Sequence, residues 1–139
     1  MSKKRLRILV VDDQPFMRRA VRGLLAAKRE WEICGEAADG REAIQKTKEL
    51  HPDIVIMDMS MPRLNGLEAT RFIHQSDPDT QVVILTLHDF PDLPRMAQEA
   101  GALGCVLKAS SGQFLIPAVQ SVSEDMPFFE RYGSGPPAA

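Results

Sequence analysis

The chain has 139 residues, 44% of them apolar, with 17 lysines and arginines against 19 aspartates and glutamates and a formal net charge of -2. Such a length makes one ordinary domain that can bury its core without staples, and such a charge gives no counterion-release drive for a dedicated nucleic-acid binder. No membrane span or signal-peptide core stands out, because the apolar stretch after the basic residues 1–7 is broken by Asp12 and Asp13.

Residues 6–11 are almost unbroken aliphatic and predict a first strand covered on both faces by helices. Pro15 suits a first helical position and opens a helix to about residue 28. Residues 31–37 read as the second strand. Asp39 with Glu42 three residues on makes an acidic variant of a capping box, for a helix ending near His51 and Pro52. The third strand is 54–57, a loop covers 59–64, and Asn65 with Glu68 caps a third helix. The fourth strand is 82–85, and a helix over 93–100 is closed by Gly101. The fifth strand is 105–107, and Ser110 or Ser111 caps a last helix to about Ser123. Pro117 stands inside that helix, where it costs about 3 kcal/mol or more unless a kink absorbs it. Strands alternating with helices predict a parallel α/β sheet with right-handed crossovers.

Asp12, Asp13, Asp58, Thr86 and Lys108 each stand at or just past the C-terminal end of one of these apolar runs. In a doubly wound parallel sheet those ends open on one edge, where such sheets bind ligands. Three acids, a hydroxyl and a lysine brought together there suit a divalent metal and a phosphoryl group, the carboxylates holding a hard cation and the others meeting phosphoryl oxygens. Taken singly, each has a plainer use: an N-cap before Pro15 for Asp12 or Asp13, a loop carboxylate for Asp58, a strand residue for Thr86, a solvated lysine for Lys108. Clustered carboxylates repel, so without a cation at least one should have a raised pKa. Cys34 and Cys105 have neither metal-ligand nor disulfide-framework spacing, and buried reduced thiols in a cytoplasmic protein are expected. His51 and His74 read as surface residues at helix ends, without metal-ligand spacing. Arg18, Arg19 and Arg22 could make a basic face on the first helix, although separately solvated arginines are the commoner explanation.

Val10-Val11-Asp12-Asp13, the stretch from Asp53 to Pro62, Asn65-Gly66-Leu67-Glu68, Leu85-Thr86 and Val106-Leu107-Lys108 together resemble the five signature blocks of the response-regulator receiver domain of two-component signalling. Leu85-Thr86-Leu87-His88-Asp89, with Ala100-Gly101-Ala102 and Lys108-Ala109-Ser110, is similar to its NarL/FixJ subfamily. The resemblance implies a flavodoxin-like, doubly wound sheet of five parallel strands in the order 2-1-3-4-5, forming a single domain over residues 1–124, with 125–139 as a flexible tail or truncated linker. In that order Cys34 and Cys105 lie on opposite edges, about 19 Å apart at roughly 4.8 Å per strand, beyond the reach of a disulfide.

The family roles fall on residues already singled out. Asp58 becomes the nucleophile that takes a phosphoryl group from a phosphohistidine on a sensor kinase or phosphotransfer protein. Mg2+ is expected on Asp13, on Asp12 through water, on Asp58 and on the backbone carbonyl of Ser60, while Lys108 and Thr86 hold phosphoryl oxygens. The resemblance makes this a signalling switch and not an enzyme beyond its own phosphorylation and dephosphorylation, either alone or as the N-terminal part of a transcriptional regulator. A homodimer through helix four, strand five and helix five is an expected partner, whereas DNA binding by this chain alone and membrane association are not. Alternatives are a receiver used for protein interaction without phosphorylation, a flavin binder, whose phosphate Asp12 and Asp13 would repel, and a haloacid-dehalogenase-like phosphatase, which needs an acid where Ser60 stands. One departure is Cys105, three residues before the lysine, where receivers usually carry an aromatic that moves on activation. With a thiol there, the activation change is expected to be muted on strand five and larger in the loop after Thr86.

Overall fold

The computed structural model describes residues 5–59, 61 and 65–129. Five strand-helix units follow one another: β1 (Leu6–Val11), α1 (Pro15–Leu25), β2 (Trp31–Ala37), α2 (Gly40–Leu50), β3 (Ile54–Asp58), α3 (Gly66–Ser76), β4 (Gln81–Thr86), α4 (Leu93–Ala100), β5 (Gly104–Leu107) and α5 (Ser111–Ser123), with a further short strand, β6 (Phe128–Phe129). The strands form one sheet in the order β2-β1-β3-β4-β5-β6, and every pairing is parallel.

Local chemistry accounts for the boundaries. Pro15 takes the first position of α1, and Asp39 and Asn65 each accept the backbone N–H three residues on, from Glu42 and Glu68. Glu42 returns a carboxylate to the Ala38 N–H at 2.6 Å, close to the reciprocal arrangement its spacing predicts. Gly101 ends α4 with φ at +103°, and a Cβ there would strike the His74 ring at 2.4 Å. Helix α1 stops at Leu25, short of the expected residue 28, because Ala27 and Lys28 turn back onto the Leu24 and Leu25 carbonyls so that β2 can begin at Trp31. Lys108–Ser110 adds a 3₁₀ turn before α5, and Ser110 stands at the N-cap with its hydroxyl directed to the Leu107 carbonyl.

The expectation of five strands is corrected to six. After α5, Asp125 adopts φ +60° and Ser121 donates to the Met126 carbonyl, reversing the chain. Phe128 and Phe129 then align with Gly104 and Cys105. The physical reason is the edge: β5 would otherwise present unpaired backbone groups along its length, and two apolar residues cover those at Gly104 and Cys105 at little cost in loop length. Phe128 also packs on Phe114, ring centroids 6.2 Å apart, and Phe129 joins the core beside Cys105. Phe128 and Phe129 therefore lie in the sheet although they fall within the stretch expected to be tail; residues 130–139 lie outside the described residues.

Two cores flank the sheet. On one face α1 and α5 cover Ile8, Val10, Ile56, Val83, Leu85 and Val106; on the other α2, α3 and α4 cover Leu9, Val11, Val55, Met57, Val82 and Ile84. Leu115 is fully buried in α5, so the run from Phe114 to Ile116 serves core packing, while Pro117 sits exposed in the same helix. Strand β2 carries a bulge: Ile33 pairs with Ile8, but Leu9 pairs with Gly35, leaving Cys34 as the extra residue. Its phase changes there. Trp31 and Ile33 pack on the α1 side, whereas Gly35 faces Leu9 and Leu50, and Ala37 joins the core on the α2 side. Neither cysteine is in a disulfide, and they stand on β2 and β5 with three strands between them.

Candidate functional site

The parallel order puts the C-terminal ends of β1, β3, β4 and β5 side by side. Asp12 and Asp13 follow β1 directly, Asp58 is the last residue of β3, Thr86 the last of β4, and Lys108 the first after β5. One carboxylate oxygen from each of Asp12, Asp13 and Asp58 lies within 4.8 Å of the others. The Lys108 ammonium closes the cluster, 2.7 Å from Asp12 Oδ2 and 3.3 Å from Asp58 Oδ1. Asp12 and Asp58 are buried and Asp13 is half-buried, so the cluster opens to solvent beside Asp13. Thr86 is buried, and its hydroxyl accepts the His88 N–H at 3.1 Å. His88 itself is exposed.

Crowding of like charge has the expected electrical result. Burial pushes the Asp58 carboxyl above the ordinary carboxylate range, the charges of Asp12 and Asp13 push it further, and Lys108 opposes them without prevailing. Burial would draw the Lys108 ammonium down, but the Asp12 hydrogen bond and the charges of Asp58 and Asp12 more than offset it, so the lysine holds its proton more tightly than usual. With all four groups ionised, three carboxylates against one ammonium leave two negative charges. Hard oxygen donors with that residual charge fit a small divalent cation such as Mg2+, which takes one or two carboxylates and retains waters.

All five residues singled out from the sequence are thus at one edge, with the three carboxylates and Lys108 in a single cluster. Ser60 lies outside the described residues. Two contributors were not legible. Gly66 packs its backbone against the end of β3: its N–H donates to the Met59 carbonyl at 2.9 Å, and a Cβ at this position would lie 2.0 Å from the Asp58 carbonyl oxygen. Its place beside a cap residue gave no hint of that approach. Arg18 and Arg22 are not simply solvated beside Arg19: the half-buried Arg18 and the exposed Arg22 both pair with Glu36 of β2. Burial alone would raise the Glu36 carboxyl, but hydrogen bonds from Arg22 and Arg18 and their charges hold it below the ordinary range.

The family model described as the response regulator receiver domain matches residues 8–120. The chain belongs to the response regulator receiver family. Receiver domains are signalling modules, not enzymes with a turnover substrate, which sets aside the flavin-binding and dehalogenase-like alternatives. This receiver is 33% identical over 124 residues to the transcriptional regulatory protein DegU of Brevibacillus brevis, covering 89% of the chain and 52% of that protein. It is 36% identical over 118 residues to the chemotaxis protein CheY of Thermotoga maritima, covering 85% of the chain and 98% of that protein. Among solved structures, a two-component response regulator of the LuxR family from Aurantimonas sp. SI85-9A1 superimposes with a TM-score of 0.85 at 36% identity over 89% of each chain. The likeness to such regulators agrees with the NarL/FixJ-type motifs. The chain spans about half the length of most of the first curated relatives it matches. No helix among the described residues is long and apolar enough to cross a membrane.

Proposed function

We propose that this receiver accepts a phosphoryl group on Asp58 from the phosphohistidine of a sensor kinase or phosphotransfer protein, in a Mg2+-dependent reaction that resets its partner-binding surface. The observation that carries the reading is the cluster itself: three carboxylates within 4.8 Å of one another, bridged by Lys108, at the edge of a parallel sheet. An Asp58 oxygen attacks phosphorus, the bond from phosphorus to the imidazole nitrogen breaks, and its electron pair leaves with the histidine. Asp13, Asp58, the Ser60 carbonyl and, through water, Asp12 would hold the metal, which would supply positive charge against the phosphoryl oxygens. Lys108 moves its point charge onto one of those oxygens, and the Thr86 hydroxyl, now turned to the His88 amide, donates to another.

Residues 1–124, with the added strand β6 at Phe128–Phe129, act as the receiver, in a cytoplasmic protein that either stands alone or precedes an output domain of a transcriptional regulator. This chain alone does not bind specific DNA, and α4, β5 and α5 offer a homodimer surface. Because Cys105 replaces the usual aromatic, the conformational change concentrates in the loop from Thr86 to Leu93. Incubation with a small-molecule phosphoryl donor and Mg2+, read by intact mass and peptide mapping, is expected to show gain of one phosphoryl group at Asp58. No gain, with the fold intact, would favour instead a receiver that works by protein interaction alone.

A further inference from the structure

Every polar group of Asp12 has a partner. Its N–H donates to the Ala37 carbonyl at 3.0 Å, its Oδ1 accepts the Gln14 N–H at 2.9 Å, and its Oδ2 accepts Lys108. Its carbonyl, which belongs to the peptide plane joining Asp12 to Asp13, accepts Arg18 Nη1 at 2.6 Å. The same guanidinium donates through Nε to Glu36 Oε1 at 2.8 Å, and Arg22 holds the other Glu36 oxygen. Lys46 donates to the Glu36 backbone carbonyl, fixing the strand end on which this carboxylate stands. Arg18 is 18% exposed at its side chain and Arg22 54%.

We propose that Arg18 is a positioning residue for the divalent cation site, holding the Asp12–Asp13 peptide so that both carboxylates face Asp58, with Glu36 orienting the guanidinium. The inference rests on the Mg2+ reading given above. Arginine suits the position because its rigid planar fork meets two acceptors from separate nitrogens held in fixed geometry, whereas an ammonium presents all its donors from one point at the end of a flexible stem. Groups that orient metal ligands in this indirect way usually matter for metal affinity about 10- to 100-fold. A plain field effect has the opposite sign: a cation near the site repels Mg2+, so removing it would tighten binding.

Titration calorimetry of Mg2+ into the metal-free chain separates these readings, with thermal unfolding recorded for each variant. Arg18→Ala and Arg18→Lys are both expected to weaken Mg2+ binding about tenfold, and Arg22→Ala, which loses a Glu36 contact but none to Asp12, to leave it unchanged. If Arg18→Ala fails to fold, Arg18→Lys decides, since it keeps the charge and the aliphatic stem. Binding by Arg18→Lys equal to the unsubstituted chain, or tighter binding by Arg18→Ala, would overturn the positioning role. Absence of Mg2+ binding by the unsubstituted chain would overturn the metal reading itself, and the inference with it.

Discussion

Asp58→Asn is expected to abolish phosphorylation and, in Mg2+-free solution at neutral pH, to make the fold more stable by on the order of 1 kcal/mol. The first effect follows from removing the proposed nucleophile. The second follows from burial and the charges of Asp12 and Asp13, which hold the Asp58 carboxyl above its ordinary range. A carboxyl whose folded pKa is raised favours folding most when protonated: that contribution is fully present below the unfolded pKa of about 3.9 and is lost as pH rises through the folded pKa. Above that window the ionised carboxylate opposes folding, and asparagine removes the charge at nearly constant shape. Lys108 keeps Asp12 as a partner at 2.7 Å, so it is not left buried without a counter-charge. Urea unfolding of both chains across pH should therefore show a gain at pH 7 that shrinks as pH falls into the carboxylate range. A stability loss at pH 7, or a gain that grows with acid, contradicts this account of the cluster.

Gly66→Ala should be the most damaging single methyl added near the site. The new Cβ would stand 2.0 Å from the Asp58 carbonyl oxygen and 2.9 Å from the Met59 Cα, both backbone atoms with no rotamer to escape into. Either the end of β3 or the start of α3 must move. Overpacking of this kind costs about 1–3 kcal/mol and occasionally more, and the upper part of that range is expected. Because the atom displaced is the backbone of the proposed nucleophile, the phosphorylation rate should also fall, by on the order of 100-fold for a misplacement near 1 Å. Denaturant unfolding and phosphorylation kinetics on the same preparation would check both. A variant that unfolds and reacts like the parent chain would mean that the contact between α3 and β3 is slack.

The α/β architecture was legible because its signals are local. Aliphatic runs flanked by caps gave β1, β2 and α4 their observed bounds, and Asp39, Asn65 and Gly101 announce helix ends through chemistry confined to a few residues. The site was legible at the level of which strand ends carry acids, since parallel topology gathers those ends without further instruction. What escaped depended on contacts distant in sequence. Two phenylalanines in a polar terminal stretch carry no periodicity, so β6 emerges only once the open edge of β5 exists to receive it. Nothing around Arg18 in the sequence points to Glu36, which is 18 residues away and across the β1–β2 pair. The closeness of Gly66 to Asp58 likewise belongs to the packing of α3 on β3.

The bulge in β2 gives Cys34 a value that its thiol does not express. Alternation along an unbroken strand would send residues 31, 33, 35 and 37 to one face and Glu36 to the other, toward α2. The extra residue works as a half-step in a count of two: beyond it Glu36 turns toward α1, where Arg18 and Arg22 meet it. Position 34 is thus a spacer defined by being present more than by what it carries. Cys34→Ala should be tolerated in both stability and Mg2+ binding, whereas deletion of the residue should point Glu36 away from Arg18 and set the Asp12–Asp13 turn loose, seen as lost Mg2+ affinity in whatever folded fraction survives. The acidic edge of this domain therefore depends on a parity set one strand away, by a residue with no chemical part in the site.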